Sequence, residues 1–325
     1  MTEALFAMDD VTVALRSNGR KMVTGVGLSV KPGEAFGVVG ESGSGKTLLT
    51  RTVFGLQDDA ELVSGRVRFD GQLLPEQGYA RAARKLLGGR IGFVPQDPFS
   101  SLNPTMRVGK QITEALYLAR GMPMGAQRTK ARAIEVLGEV GIPEPELAFN
   151  QFPDQFSGGM RQRIVFAIAL AQEPKLLIAD EPTTALDAIT QRRVIELMLG
   201  RCRSHGMALI LISHNLELLR QSVDRIAVLY GGQLHNITHA DDIGSRTVHP
   251  YTEALFECIP SKEKTLADIR AIPGEPVGAG FGTKGCAFAS RCRYAEPICR
   301  ETQLPLNGDQ PGRFSACLLG RGADA

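Results

Sequence analysis

One segment near the start of the sequence has the residue types and spacing of a phosphate-binding loop. Residues 40–47 read Gly-Glu-Ser-Gly-Ser-Gly-Lys-Thr, with an apolar segment before them and a helix-forming segment after them. Its three glycines let the backbone turn its N–H groups inward around a polyphosphate. Lys46 can reach the terminal phosphates, and Thr47 can ligate Mg²⁺. The sequence therefore predicts a nucleotide site formed by Gly40, Glu41, Ser42, Gly43, Ser44, Gly45, Lys46 and Thr47.

A second group of polar residues follows predicted strands and suits hydrolysis at the γ-phosphate of a nucleotide. Asp180 and Glu181 come directly after the apolar run 176–179. One carboxylate at such a place can hold Mg²⁺ through water, and the next can polarise the attacking water. Gln96 and His214 follow strands that we expect to flank the acid-bearing strand. We therefore predict catalytic roles for Glu181, Gln96 and His214, and magnesium contacts for Thr47, Gln96 and Asp180.

A second anion site is predicted where Ser157, Gly158 and Gly159 precede a helix that starts near Met160. A serine N-cap followed by two glycines leaves backbone N–H groups open to an anion. The chain has one glycine loop and one such serine segment. The second anion is therefore expected to be the nucleotide of another chain, so that two chains hold two nucleotides between them.

The segments that must position these residues alternate between strands and helices, which predicts an α/β fold. Continuous apolar runs suit buried parallel strands, and alternating runs suit strands with one exposed face. After about residue 245 the composition changes to Pro, Gly and Cys, and we place a domain boundary there. The predicted strands include residues 11–15, 25–30, 35–39, 65–71, 91–95, 176–179 and 208–212, with a hairpin over 225–237.

Composition limits the class of protein. With 325 residues and 43% apolar content, the chain can bury a full core and is long enough for one large domain and a smaller one. The net charge is only +2, which argues against a dedicated nucleic-acid binder. The apolar runs are shorter than the roughly 18 residues of a membrane helix, and the first residues do not resemble a signal peptide. We expect a cytosolic protein that reaches a membrane through a partner.

Three further features, added to the glycine loop, carry a resemblance to a known family. Residues 156–163 read Phe-Ser-Gly-Gly-Met-Arg-Gln-Arg, and residues 95–104 read Pro-Gln-Asp-Pro-Phe-Ser-Ser-Leu-Asn-Pro. Residues 249–252 read His-Pro-Tyr-Thr and precede a cysteine-rich tail. Over nearly its whole length the chain resembles ABC transporter ATPases, and more narrowly those of the oligopeptide/dipeptide/nickel importers. Because it has Met160 after the two glycines, the chain resembles the member of the family's ATPase pair that carries methionine at this position.

The resemblance implies an architecture and a function. The nucleotide-binding domain would span residues 1–245, with a RecA-like core, an antiparallel β subdomain and a helical subdomain over about 97–160. Residues 246–325 would form a small C-terminal domain. The chain would bind and hydrolyse ATP with Mg²⁺ to energise import of peptides or related solutes, including nickel or metal chelates. Its partners would be a second, paralogous ABC ATPase, two permease subunits and a substrate-binding protein, at the cytoplasmic face of the cell membrane.

The resemblance also implies roles for single residues. Gln96 would sense the γ-phosphate and couple to the permease, Glu181 would be the general base, and Leu15 would pack on adenine where the family usually has an aromatic residue. The segment from Gln96 to about Pro153 would dock the permease, with Phe99 and Leu102 taking part in the contact. Residues 234–239 depart from the family, because they lack its acid-then-glycine pattern. The remaining implied roles are phosphate and Mg²⁺ binding by Lys46 and Thr47, contact with the partner's ATP by Ser157, Gly158 and Gly159, Mg²⁺ ordering by Asp180, an interface contact by Asp187 and γ-phosphate contact by His214.

Four of the six cysteines lie in the tail, at Cys286, Cys292, Cys299 and Cys317. Clustered cysteines in a cytosolic chain more often bind metal than form disulfides. Their spacing fits neither the C-x2-C zinc pattern nor common ferredoxin runs. In some members of the family a four-iron cluster occurs in this tail, so a [4Fe–4S] cluster, zinc and metal-free thiols remain as alternatives. The tail is short of large apolar residues, and a metal centre would replace the missing core.

Three other functions fit the sequence less well than that of an importer subunit. Soluble ABC ATPases of DNA repair or translation usually carry long coiled-coil insertions or two cassettes, and this sequence shows neither. An exporter ATPase would not normally carry the segment 249–252 and the cysteine tail. A degenerate regulatory cassette, the non-enzymatic alternative, is disfavoured because Glu181 and His214 are both present.

Overall fold

The computed structural model describes residues 3–184, 186–244, 249–259, 271–280, 282, 284–310 and 313–320. Ala185 and parts of the predicted C-terminal domain therefore lie outside the described residues. The chain divides into two compact units. The first comprises Met1–Lys31, Ala35–Ala83 and Ser213–Ala325, and the second comprises Pro32–Glu34 and Arg84–Ile212. The domain boundary near residue 245 remains a prediction.

The strands of the described residues, in chain order, are β1 (Phe6–Leu15), β2 (Lys21–Val30), β3 (Ala35–Val39), β4 (Ala60–Phe69), β5 (Gln72–Leu73), β6 (Ile91–Val94), β7 (Leu176–Asp180), β8 (Ala208–Ile212), β9 (Arg225–Tyr230), β10 (Gln233–His239), β11 (Asn307–Gln310) and β12 (Arg313–Ser315). The α-helices are α1 (Lys46–Val53), α2 (Tyr79–Arg84), α3 (Pro98–Ser101), α4 (Val108–Arg120), α5 (Gln127–Glu139), α6 (Pro145–Ala148), α7 (Gly158–Ala171), α8 (Ala188–Ser204), α9 (Leu216–Arg220), α10 (Pro250–Glu257) and α11 (Pro297–Glu301).

The first unit contains two groups of paired strands. An antiparallel sheet has the order β2-β1-β4-β5, and its β1 pairs with both β2 and β4. In the second group β3 runs parallel to β9, and β10 and β12 continue it in antiparallel pairs up to β11. The five residues of β3 are all buried, as a strand inside a sheet requires. This strand leads directly into the predicted phosphate loop.

The second unit contains three parallel strands in the order β8-β7-β6 and a group of packed helices. Every residue of β7 and β8 is buried, which confirms the strands predicted from continuous apolar runs. Helices α4, α5 and α7 pack against one another. Helix α7 is apolar along most of its length and buries Ile164, Phe166 and Leu170, so its first turn is held firmly in place.

The tail differs from its prediction. Phe288 is buried, and its ring centroid lies 5.5 Å from that of Tyr230 and 5.1 Å from that of Tyr251. Strands β11 and β12 were not predicted, and β12 extends the pairing of β10. The expectation that the tail lacks an apolar core is therefore wrong for this part, because a few aromatic residues anchor it to the hairpin β9–β10.

The helices within the described residues are too short, or too polar, to cross a bilayer.

Candidate nucleotide-binding and catalytic site

The phosphate loop of the first unit turns sharply between β3 and α1. A Cβ atom built on Gly40 would lie 2.1 Å from the carbonyl oxygen of Leu229, so a side chain cannot fit there. Gly45 caps α1 with a φ of 99°, in the left-handed region that favours glycine. The backbone thus forms a tight loop at the N-terminus of a helix, which is the arrangement that binds phosphate groups. The loop confirms the local structure expected of residues 40–47.

Lys46 is the cation of this loop and is almost fully buried. Its Nζ donates to the carbonyl oxygens of Gly40 at 2.8 Å and Glu41 at 3.0 Å. The backbone N–H of Gly232 donates to the carbonyl oxygen of Ser44 at 3.1 Å, which ties the loop to the β9–β10 turn. The loop is therefore pre-formed around its lysine, and a polyphosphate would meet an ordered set of donors.

His214 lies beside the strand that leads into this loop. The N–H of Ser213 donates to the carbonyl oxygen of Val38 at 3.0 Å, which fixes the chain next to the carboxyl end of β3. The side chain of His214 is exposed, as a residue that contacts a ligand can be. Leu15 is half-buried at the end of β1. The γ-phosphate contact of His214 and the adenine contact of Leu15 remain predictions.

Glu181 is the focus of the second unit. It follows β7 with a φ of 46°, which is a strained conformation for a residue other than glycine. Its Oε2 atom accepts a hydrogen bond from the hydroxyl of Thr184 at 3.0 Å and from Nε2 of Gln96 at 3.5 Å. The structure thus brings the predicted general base and the predicted γ-phosphate sensor together. Asp180, the last residue of β7, is fully buried.

Sequence reasoning did not identify Thr184 as part of this site. The same hydroxyl also lies 3.1 Å from the carbonyl oxygen of Glu181, so its single proton is shared between that oxygen and the carboxylate. A hydroxyl three residues after an acid at a strand end is a signal that could have indicated the contact. We infer that Thr184 orients the Glu181 carboxylate.

The segment after Gln96 has its own helix cap. The side chain of Asp97 accepts from the N–H groups of Phe99 and Ser100, and these hydrogen bonds lower the pKa of its carboxyl group. The Phe99 ring lies 4.5 Å below the guanidinium of Arg161, on helix α7. Leu102 is 3% exposed. It belongs to the core, and the expectation that Leu102 is available to a partner is wrong.

The serine segment 157–159 and Asp187 lie at the starts of α7 and α8. Ser157 caps α7 by accepting from the N–H of Met160 at 3.4 Å, as its N-cap prediction requires. Asp187 caps α8 by accepting from the N–H groups of Ile189 and Thr190, and the Thr190 contact is the main cause of its lowered carboxyl pKa. A Cβ on Gly159 would lie 2.8 Å from Cγ2 of Thr190, so the two helix starts touch.

The four tail cysteines line one small cavity of the first unit. Cys286, Cys292, Cys299 and Cys317 surround it together with His249. Burial raises the pKa of the Cys286 thiol to about 12, so this group stays protonated at neutral pH unless a cation replaces the proton. Four cysteine residues line this cavity, and four thiolates are the donor set of a [4Fe–4S] cluster and of a zinc site.

His235 and His249 are potential metal ligands that sequence reasoning missed. Nδ1 of His235 lies 3.2 Å from Nε2 of His249 and 3.9 Å from Sγ of Cys286. The three ligand atoms lie within 4.8 Å of one another. Burial lowers the pKa of His235 to about 4 and that of His249 well below its usual value, so both imidazoles are neutral. The departure of residues 234–239 from the family pattern was the available signal, since it places a histidine at 235.

Comparison with known proteins decides the family. Residues 23–184 match the ABC transporter family, and residues 237–299 match the C-terminal region of oligopeptide/dipeptide transporters. The chain is 40% identical over 298 residues to the dipeptide transport ATP-binding protein DppD of Escherichia coli, covering 91% of this chain and 90% of that one. This chain belongs to the ABC transporter ATPases of the oligopeptide/dipeptide importers. It is an ATP-hydrolysing transport enzyme.

Other comparisons agree with this membership. This chain is also 40% identical over 308 residues to the oligopeptide transport ATP-binding protein OppD of Bacillus subtilis, covering 93% of this chain and 85% of that one. It matches a dimeric bacterial ABC transporter cassette with a TM-score of 0.63 and 26% identity, over 72% of this chain and 98% of the cassette. It also has the fold of cbiO1 from Clostridium perfringens, with a TM-score of 0.64, 22% identity, and 75% and 92% coverage. The predicted ABC ATPase fold is confirmed.

Proposed function

We propose that this ABC ATPase drives peptide import and that Glu181 is the general base of its ATP hydrolysis. The observation that carries the assignment of Glu181 is the pair of hydrogen bonds from Thr184 and Gln96 to its carboxylate. A carboxylate fixed in one orientation can accept a proton from an attacking water, provided that the water lies within hydrogen-bond reach. The peptide substrate is supported by the names of the relatives, which are dipeptide and oligopeptide transport ATP-binding proteins.

Separate groups of residues would serve ATP and Mg²⁺. The loop N–H groups and Lys46 would bind the phosphates, and Thr47 would ligate Mg²⁺. The roles proposed for Asp180 and Gln96 are Mg²⁺ ordering and contact with the metal or the water. The close approach of Gly40 to the carbonyl oxygen of Leu229 supports this assignment, because it holds the loop in its tight turn at the start of α1. Mg²⁺ supplies charge stabilisation for the transferred phosphoryl group.

A second ATPase chain would pair with this one to form the two nucleotide sites. Ser157, Gly158 and Gly159 would contact its ATP, and Asp187 would lie at the interface between the two chains. Two observations support this: the exposed N-terminus of α7 offers N–H groups to an anion, and the similar bacterial cassette was solved as a dimer. Two permease subunits and a substrate-binding protein would form the rest of the importer, with this subunit peripheral at the cytoplasmic face of the membrane.

Import can be tested directly in reconstituted vesicles. The subunit is co-expressed with its ATPase partner and permeases, and the complex is placed in proteoliposomes with binding protein on the substrate side. We expect MgATP on the ATPase side to drive accumulation of a radiolabelled dipeptide against its gradient. A complex that hydrolyses ATP but accumulates neither dipeptide nor oligopeptide would reject the peptide substrate. Retained hydrolysis would leave the ATPase assignment in place.

We further propose that the tail carries a [4Fe–4S] cluster bound by Cys286, Cys292, Cys299 and Cys317. Supporting it is the common cavity that the four side chains line. Anaerobically purified protein is expected to contain about four irons per chain and to absorb broadly near 400 nm. Cys292→Ser should lose iron, while Cys258→Ser is the matched control outside the cavity. Colourless, iron-free protein would reject the cluster.

The two histidines beside Cys286 offer a further zinc site, separate from zinc bound by the four cysteines, and variants distinguish it from a metal on the cysteines. Zinc bound by His235, His249 and Cys286 would be lost in His235→Ala but retained in Cys292→Ser. An iron cluster on the four cysteines would show the reverse dependence, because His235 is not among its ligands. Elemental analysis of both variants therefore separates the two metal sites. Protein that holds neither iron nor zinc would leave the thiols metal-free and reject both.

A further inference from the structure

A buried ion pair joins Arg291 of the tail to Glu41 of the phosphate loop. Nη1 of Arg291 lies 3.0 Å from Oε2 and 3.2 Å from Oε1 of Glu41, the second residue of the loop. The Arg291 side chain is only 4% exposed, and that of Glu41 is 24% exposed. A pair so little exposed is weakly screened by solvent and salt. The two residues are 250 positions apart in the sequence.

Arg291 is held in a fixed position by groups of the first unit. Its Nε donates to the carbonyl oxygen of Pro273 at 2.9 Å, and its Nη2 donates to that of Ile272 at 3.1 Å. Nη1 also donates to the hydroxyl of Tyr230 at 3.0 Å. The guanidinium carbon lies 5.6 Å from the Tyr230 ring centroid, within the range of a cation–π contact. The arginine is therefore pre-organised to meet the Glu41 carboxylate.

Two other groups from beyond residue 249 contact the same loop. The N–H of Glu41 donates to the hydroxyl of Tyr251 at 3.1 Å, and the N–H of Ala279 donates to the carbonyl oxygen of Gly43 at 2.8 Å. The carbonyl oxygen of Glu41 in turn accepts from Nζ of Lys46. Glu41 is thus bound through its side chain, its N–H and its carbonyl group, and the residue that Arg291 holds also holds the lysine of the loop.

Electrostatics gives this pair a role in nucleotide binding. A carboxylate within a polyphosphate-binding loop repels the ligand, and the repulsion is strong where little solvent screens it. An arginine whose Nη1 donates to both carboxylate oxygens neutralises the carboxylate and fixes its direction. We propose that Arg291 is a positioning residue of the ATP site: it acts through Glu41 to hold the phosphate loop and to cancel the charge that would oppose ATP.

The test measures MgATP affinity in the full chain by equilibrium dialysis, together with KM and kcat. Arg291→Ala is expected to weaken MgATP binding and raise KM about tenfold, with kcat at saturating ATP changed less than twofold. Arg293→Ala is the matched control and should bind MgATP normally, because Arg293 is 58% exposed and pairs with Glu253. Arg291→Lys keeps the charge without the planar guanidinium, which also donates to the carbonyl oxygens of Pro273 and Ile272, and should give an intermediate loss.

A double-mutant comparison separates this role from a purely structural one. In a Glu41→Gln background, Arg291→Ala should cost less than twofold in MgATP affinity, because the charge that needs cancelling is gone. A structural role would lower the melting temperature of nucleotide-free Arg291→Ala while leaving MgATP affinity intact, and that result would overturn the proposal. An equal loss of affinity in both backgrounds would also overturn it. If Arg291→Ala does not fold, Arg291→Lys is compared in the same two backgrounds with the same criteria.

Discussion

The hydroxyl of Thr184 donates a hydrogen bond to the Glu181 carboxylate over 3.0 Å, three residues after the glutamate in the chain. Glu181 has a positive φ, so its backbone conformation is costly and persists only because surrounding contacts hold it. Thr184 provides one of these contacts, because its single hydroxyl proton lies within reach of both the carboxylate and the carbonyl oxygen of Glu181. The orientation of the general base therefore depends on a neighbouring hydroxyl group.

Removal of this hydroxyl should slow turnover without affecting nucleotide binding. For Thr184→Val we expect kcat to fall by roughly 10-fold, because a base that is no longer oriented loses part of its catalytic advantage. The Kd for MgATP should stay within about twofold of the parent value. Thr184→Ser keeps the hydroxyl and should restore most of the activity. Equal activities of the valine and serine variants would show that the hydrogen bond has no catalytic role.

The tight turn at Gly40 makes a prediction about ATP binding. Gly40→Ala would place a Cβ atom 2.1 Å from the carbonyl oxygen of Leu229, so the loop must move. We expect MgATP affinity to fall at least 10-fold, since the N–H groups of the loop lose their alignment. Gly125→Ala is the control, because a Cβ at that glycine meets no atom within 4 Å. Fluorescence titration with a labelled ATP analogue measures both, and normal binding by Gly40→Ala would contradict the loop assignment.

Phe99 and Leu102 are close in sequence but should respond differently to mutation. Phe99 is 54% exposed and stacks on Arg161, so its ring is available to a partner beside the start of α7. We expect Phe99→Ala to reduce peptide uptake several-fold in vesicles while basal ATP hydrolysis changes less than twofold. Unchanged uptake, or no crosslink from residue 99 to a permease in the assembled complex, would count against a docking role.

Leu102→Ala should instead act on stability, because Leu102 is buried. Truncation of a core leucine to alanine costs about 2–5 kcal/mol, from the lost apolar contacts and the cavity that remains. Urea denaturation followed by circular dichroism should show a clearly lower midpoint for Leu102→Ala and a small change for Phe99→Ala. A variant as stable as the parent would indicate that the segment repacks around the missing side chain.

Short-range features of this structure could be predicted well from the sequence. Strands β3 and β8 have the bounds of their apolar runs, and the loop before Lys46 follows from three glycines in eight residues. In these segments the residue types themselves fix the local backbone, because glycine permits the turn and continuous apolar runs must be buried. The positions of the four tail cysteines likewise indicated a common site, and all four residues line one cavity.

Long-range contacts could not be predicted in the same way. The pairing of Arg291 with Glu41 joins two segments that have no shared pattern, and only the fold brings them together. The core of the tail depends on Phe288 packing against Tyr230 and Tyr251, which a count of apolar residues in the tail alone does not reveal. The burial of Leu102 was missed because its segment is short and lacks a clear period.

The most direct test of the account is Glu181→Gln, measured for both ATP binding and turnover. The amide can still accept a hydrogen bond from Thr184 but cannot take a proton from water. We therefore expect MgATP to bind with a Kd within about threefold of the parent while turnover falls by about 10²-fold or more. Glu196 is an exposed glutamate on α8, and Glu196→Gln should show the same ATP binding and turnover as the parent. Parent-like turnover by Glu181→Gln would contradict the assignment of Glu181 as the general base.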